Sequence, residues 1–275
     1  MKLSITIQTP EVQPTIPVAL LTGTLQEKIE KASKWGADGV ELLTTNPKEL
    51  NPEEILALVR YNGLQVAAIA SGGMAFALGF TLLNADASIA AQAKTRLYDL
   101  IDFAAALGAP VVTIGSFRGR SAWVGGQGKT MLRDILGEAA VYAYQRSVRL
   151  ALEAVNRFEA DILTNAAETL AFIDEVDQPA LGLLLDTFHV NIEEASWIEP
   201  FRTAMRAGKL YHIHLGDNNR LPPGGGLIDF PAIVATLQEA GYTGYLSAEL
   251  LCKPDADTAA RQTLEYMGKL LRDNK

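Results

Sequence analysis

Short runs rich in β-branched and aliphatic residues recur along this chain, each separated from the next by a longer segment of helical period. The runs lie at 3–7, 39–42, 65–69, 111–114, 149–154, 181–185, 210–214 and 245–248. Their starts fall roughly thirty-five residues apart, the repeat of one strand plus one crossover helix. Such alternation is the pattern of parallel strands joined by helices. Helical segments are expected at 25–35, 52–61, 88–107 and 130–148, and Gly36, Gly63 and Gly108 stand where helix stops are needed. An open doubly wound sheet also alternates, but it calls for a Gly-rich phosphate turn after an early strand, and none follows the first run. The expectation is a closed (β/α)8 TIM barrel, a single α/β domain over residues 1–275. A chain 48% hydrophobic can fill its core, and no low-complexity tract or Ser/Pro-rich linker divides it.

One stretch asks for a membrane check. Residues 66–83 carry no charge and are about as long as a spanning helix, but Gly72, Gly73 and Gly79 interrupt them. They read as a buried strand followed by an apolar loop, with no membrane span. The formal charge of −8 repels polyanions and argues against nucleic acid as a partner. The single cysteine, Cys252, has no disulfide partner, and the opening residues alternate without a signal-peptide core, so a cytoplasmic protein is expected.

In such a barrel the carboxyl ends of the strands share one pocket, and chemistry-bearing residues gather there. Glu153 closes the fifth strand, Asp186 closes the sixth, His212 and His214 lie in the seventh, and Glu249 follows the eighth. Alone, a glutamate at a strand end is usually a loop salt bridge; four ligand-type groups at consecutive strand ends reverse that reading. Three carboxylates and an imidazole suit one divalent ion, Mn²⁺ first, with Mg²⁺ or Co²⁺ as neighbours. His212 and His214 point to the same side of their strand, and His214 lies nearer the pocket end, so it is assigned to the metal and His212 to a supporting place.

The segments 152–159 (LEAVNRFE), 186–194 (DTFHVNIEE) and 212–220 (HIHLGDNNR) resemble the signature segments of the ketose 3-epimerases of the xylose isomerase-like superfamily. The resemblance runs in order and spacing over almost the whole chain. Within that group the opening strand and residues 68–96 and 114–120 are most similar to the 5-keto-L-gluconate epimerase and D-tagatose 3-epimerase-like members. The resemblance implies that Glu153, Asp186, His214 and Glu249 hold the metal, with Glu153 and Glu249 also the acid/base pair. It further implies that Glu159, His189 and Arg220 hold the substrate, and that the barrels assemble as a homodimer or homotetramer. The implied reaction is C3 epimerisation of a ketose or keto-sugar acid through a cis-enediolate. Two positions depart from the group: Asp217 where glutamate is common, and Leu250-Leu251 where many members have a proline and an aromatic.

That chemistry needs these groups. A proton on carbon beside a ketone is a very weak acid, so charge developing on the oxygen must be stabilised as it appears, which a divalent ion does. Inversion then requires proton removal on one face and delivery on the other, hence two acid/base groups. Arg118 and Arg120, after the fourth strand, suit a carboxylate or phosphate on the sugar, and an exposed pair of loop cations accounts for them equally well. The run 222–226 (PPGGG) reads as a turn beside the substrate, and Trp123 and residues 74–80 as walls of the pocket or as packing.

An aldose–ketose isomerase, a hydroxypyruvate isomerase or a keto-inositol dehydratase on the same barrel stands as the alternative within sugar chemistry. A nuclease like endonuclease IV is opposed by the negative charge and by three histidines, too few for a multi-zinc site. A binding module that has shed its chemistry predicts a missing ligand, and all four are present.

Overall fold

The computed structural model describes residues 1–273. Strands β1 (Lys2–Gln8), β2 (Gly39–Leu43), β3 (Gln65–Ala70), β4 (Val111–Ile114), β5 (Arg149–Glu153), β6 (Leu181–Asp186), β7 (Leu210–Leu215) and β8 (Tyr245–Ala248) pair in sequence order and close into a barrel. Every pairing is parallel, including β8 to β1. Each strand lies within a residue or two of its expected run.

Helices α1 (Leu25–Lys34), α2 (Pro52–Tyr61), α3 (Gly72–Leu78), α4 (Ala87–Leu107), α5 (Gly128–Tyr144), α6 (Ala166–Val176), α7 (Thr187–Glu193), α8 (Glu199–Arg206), α9 (Phe230–Glu239) and α10 (Ala256–Asp273), with short 3-10 turns at Pro47–Glu49, Ser116–Arg118 and Ser121–Val124, complete the described elements. The strands are apolar on both faces because helices cover one side and the barrel interior the other; β2 and β6 are buried at every position. The helices contribute one stripe each, among them Ile29, Leu97, Leu100, Phe172, Phe201 and Phe230, to one continuous core with the outer strand faces. Loop-to-helix entries are set by side-chain caps: Thr24 and Glu27 form a capping box on α1, and Asn51, Asp86, Asn165 and Asp229 cap α2, α4, α6 and α9. Each such cap contributes about 1 kcal/mol.

Two expectations need correction. Residues after β3 form α3 rather than a loop: once Gly72 and Gly73 are passed, Met, Ala, Phe and Leu favour helix, and Gly79, at φ 65°, ends it in the left-handed conformation. The helix expected at 130–148 ends at Tyr144, because Ser147 turns left-handed (φ 58°) to deliver buried Val148 to β5. Among the described residues no helix is long and apolar enough to cross a membrane.

Loops at the carboxyl ends of the strands are tied to one another. Leu82 and Leu83 donate backbone N–H groups to the carbonyls of Phe117 and Arg118. The Asp161 carboxylate accepts from the amides of Ser121 (2.9 Å) and Ala122 (2.8 Å), joining the β4 and β5 loops. These braces tie together the loops above the carboxyl ends of the strands.

Candidate metal centre and active site

Strands β5, β6 and β7 and the residue after β8 deliver Glu153, Asp186, His214 and Glu249 to one place, with one ligand-type atom from each lying within 4.8 Å of all the others. His214 Nδ1 is 3.7 Å from Glu153 Oε1 and 3.5 Å from Glu249 Oε2. Asp186 also caps α7, its Oδ1 accepting from the Phe188 amide at 2.8 Å, which turns Oδ2 toward the cluster. Glu153 presses against the β4 end so closely that a Cβ on Gly115 would stand 2.1 Å from its Oε2.

Glu153 Oε1, Asp186 Oδ2 and His214 Nδ1 are all buried without a hydrogen-bond partner. One such atom costs about 1–3 kcal/mol, and three aimed at a common centre are not left so by accident. The donor set fits a divalent ion: hard carboxylate oxygens with one borderline nitrogen.

The electrostatics carry the same strain. Burial pushes Glu153 above the usual carboxylate range against the pull of His214, and pushes Asp186 up to about 7 against the pull of Arg220. Burial also acts to raise Glu249, but the charges of His214 and Arg220 outweigh it and bring Glu249 down to about 2. For His214 burial favours the neutral ring, yet Glu41 and Glu249 overcome it and hold the pKa well above the ordinary histidine value. Two neighbouring carboxylates, Glu153 and Glu249, are thus driven in opposite directions.

Around the cluster stand the three expected substrate residues. Arg220, left-handed at φ 57°, donates Nη2 to Glu249 Oε2 at 3.0 Å and Nη1 to Glu159 Oε1 at 3.4 Å, and its guanidinium lies over the Phe188 ring. Its loop hangs on Asp217, whose carboxylate accepts from the amides of Asn218 (2.8 Å), Gly224 (3.0 Å), Gly226 (2.9 Å) and Ile228 (3.1 Å). The glycines of 222–226 are needed for that wrapping: a Cβ on Gly226 would meet Asp217 Oδ1 at 2.3 Å.

His189 receives a hydrogen bond on Nδ1 from the Asn156 amide (2.7 Å), whose other hydrogen goes to Glu159 Oε1 (2.8 Å). That leaves the His189 proton on Nε2, 3.5 Å from Glu153 Oε1. Burial, with help from Arg220, keeps this imidazole neutral.

The two loop arginines part company. Arg120 donates to the Phe158 carbonyl at 3.1 Å. Arg118 is 1% exposed and donates Nη1 to the Glu153 carbonyl at 2.8 Å, while its Nε and Nη2, the side-on fork that grips a carboxylate, have no partner. Burial draws its pKa down to about 10.

Two residues escaped the sequence reading. Asn156 sets the His189 tautomer. Glu41, fully buried in the middle of β2, accepts from His212 Nε2 at 2.9 Å and His214 Nε2 at 3.1 Å. The available signal for Glu41 was a lone acid inside a strand otherwise fit only for burial.

Residues 29–270 match the family model described as xylose isomerase-like TIM barrel. The D-psicose 3-epimerase of Agrobacterium fabrum is 31% identical over 234 residues, 82% of this chain and 78% of that protein. The L-ribulose 3-epimerase of Methylomonas sp. is 28% identical over 256 residues, 90% of this chain and 86% of that one. In fold, the crystal structure of a D-allulose 3-epimerase from Methylomonas sp. superposes with a TM-score of 0.79 at 22% identity, covering 98% of each chain.

Proposed function

The chain belongs to the xylose isomerase-like TIM barrel family, and from that premise we propose that it is a divalent-metal-dependent sugar isomerase of the ketose 3-epimerase kind. The observation that carries this reading is the convergence of three unpartnered buried ligand atoms, on Glu153, Asp186 and His214, with the Glu249 carboxylate. These four residues would hold the ion, with Mn²⁺ favoured by the mixed oxygen and nitrogen set and Mg²⁺ or Co²⁺ the neighbouring choices. When bound, the ion supplies Lewis-acid stabilisation of the charge that grows on the ketone oxygen.

The remaining work falls to the side chains. One of Glu153 and Glu249, as carboxylate, would take the proton from carbon on one face of the sugar, and the other, as carboxylic acid, would deliver its own proton to the opposite face. Arg220 keeps Glu249 ionised and oriented, and His189, fixed by Asn156, presents an N–H beside Glu153. Glu159, His189 and Arg220 line the place where the sugar hydroxyls sit. The substrate is a ketose or keto-sugar acid; an acidic sugar is favoured by the unpartnered fork of Arg118, whereas Arg120 already has a carbonyl to serve. A homodimer or homotetramer is the proposed assembly.

Glu153→Gln and Glu249→Gln are each expected to abolish solvent deuterium incorporation at the carbon beside the ketone, a loss of at least about 10²-fold. Full exchange in both variants would remove them as acid/base groups. A panel of a keto-gluconate and neutral ketohexoses, with product stereochemistry, reads the substrate class; clear preference for a neutral sugar ends the acidic reading.

A further inference from the structure

Glu41 is the residue on which both barrel histidines converge. We propose that Glu41 is a positioning residue that selects the nitrogen His214 offers to the cation, an inference that rests on the reading of the four-residue cluster as a metal centre.

A carboxylate only accepts, and Glu41 offers one oxygen to each ring: Oε2 to His212 Nε2 and Oε1 to His214 Nε2. Both rings must therefore carry hydrogen on Nε2. For His214 that makes Nδ1 the nitrogen that gives up its proton and offers a lone pair when a cation binds, and Nδ1 is the buried atom facing Glu153 and Glu249 without a partner. His212 is the counterweight. Its bond occupies the other oxygen, and its ring stands edge-on to His214 with centroids 5.2 Å apart, so neither the carboxylate nor the two rings can turn independently. Local backbone irregularities sit at both partners: the β2–β3 register shifts between Val40 and Glu41, and the β6–β7 register shifts between Leu183 and Leu184, where Leu184 faces His212. Such shifts re-aim side chains beside functional sites.

A glutamine at position 41 makes the logic testable. Its amide has one acceptor oxygen and one donor nitrogen, so one of the two rings must present a bare Nε2 and carry its proton on Nδ1. Either arrangement weakens His214 as a ligand: if its ring takes the amide nitrogen, Nδ1 is capped by hydrogen, and if it takes the amide oxygen, the charged acceptor that holds its Nε2–H is lost. Orienting partners of metal-bound histidines typically contribute 10–100-fold in affinity.

The experiment strips the enzyme with chelator and measures Mn²⁺ affinity by chelator competition for wild type and Glu41→Gln, with circular dichroism confirming the fold. A 10–100-fold weaker affinity in Glu41→Gln is expected, and equal affinities overturn the proposal. Should the variant not fold, the wild-type enzyme decides alone. With ¹⁵N-labelled histidine and Zn²⁺ as a diamagnetic probe, only His189, His212 and His214 give ring signals. The proposal requires His214 to be protonated on Nε2 and coordinated through Nδ1, and the reverse arrangement sinks it. A wild-type enzyme that binds neither ion takes down the metal-centre reading and this inference together; unchanged binding in Glu41→Gln takes down this inference alone.

Discussion

Gly115→Ala tests whether the placement of Glu153 matters as the geometry says. A methyl there would lie 2.1 Å from Glu153 Oε2, while real Cβ atoms essentially never approach another heavy atom closer than 3.0 Å, so the carboxylate must retreat by about 0.9 Å. A displacement near 1 Å at a reacting group costs on the order of 10²-fold in rate, and the overpacking costs about 1–3 kcal/mol of stability. Gly137→Ala in α5 is the matched control, since its nearest neighbour is Val176 Cγ1 at 3.9 Å. That variant is expected to gain roughly 0.5–1 kcal/mol from helix propensity, with unchanged turnover. The assay is deuterium exchange at the carbon beside the ketone, run with metal affinity by chelator competition and thermal unfolding. Wild-type exchange and wild-type affinity in Gly115→Ala would refute the assigned position of Glu153.

Asp186, raised to about 7 by burial, keeps its proton below that pH, and a cation must displace it; apparent metal affinity should fall by up to about tenfold per pH unit below 7. His214, also raised, loses a proton on binding and steepens the same trend, so equal affinity at pH 6 and pH 8 would contradict the assignment. Asp217→Asn places an amide N–H₂ against backbone N–H groups and should cost about 1–3 kcal/mol while raising KM through the Arg220 loop, read by thermal unfolding and steady-state kinetics. Metal at a hundredfold above its dissociation constant should add about 2.7 kcal/mol, a rise of roughly 5–10 °C in Tm that chelator removes; no shift speaks against a built site.

The strands were legible because a parallel barrel strand, buried on both faces, must be a short apolar run bounded by turns, and β2, β5 and β6 advertise that locally. The stretch after β3 was misread as a loop because its glycines weigh against helix in any local count, while in the fold they occupy the first turn of α3, where their cost is small. Among site residues, Glu153, Asp186 and Glu249 stood out as acids at the ends of apolar runs. The arginines did not sort themselves: nothing local to residues 116–120 says that Arg118 turns inward under the Glu153 carbonyl while Arg120 reaches Phe158.

What the sequence determined by itself was the order of strands and helices; with no Gly-rich phosphate turn after the first strand to signal an open doubly wound sheet, that order points to the barrel, and right-handed crossovers between neighbouring strands then give each strand-end residue its ring position. Tertiary structure alone decided which atoms meet. Glu41 and His212 are separated by 171 positions, and no periodicity links them. Their pairing, the partnerless Nδ1 of His214 and the partnerless oxygens of Glu153 and Asp186 arise only when closure of the barrel brings distant strands such as β2 and β7 round to a shared interior, where burial makes every unmet hydrogen bond count.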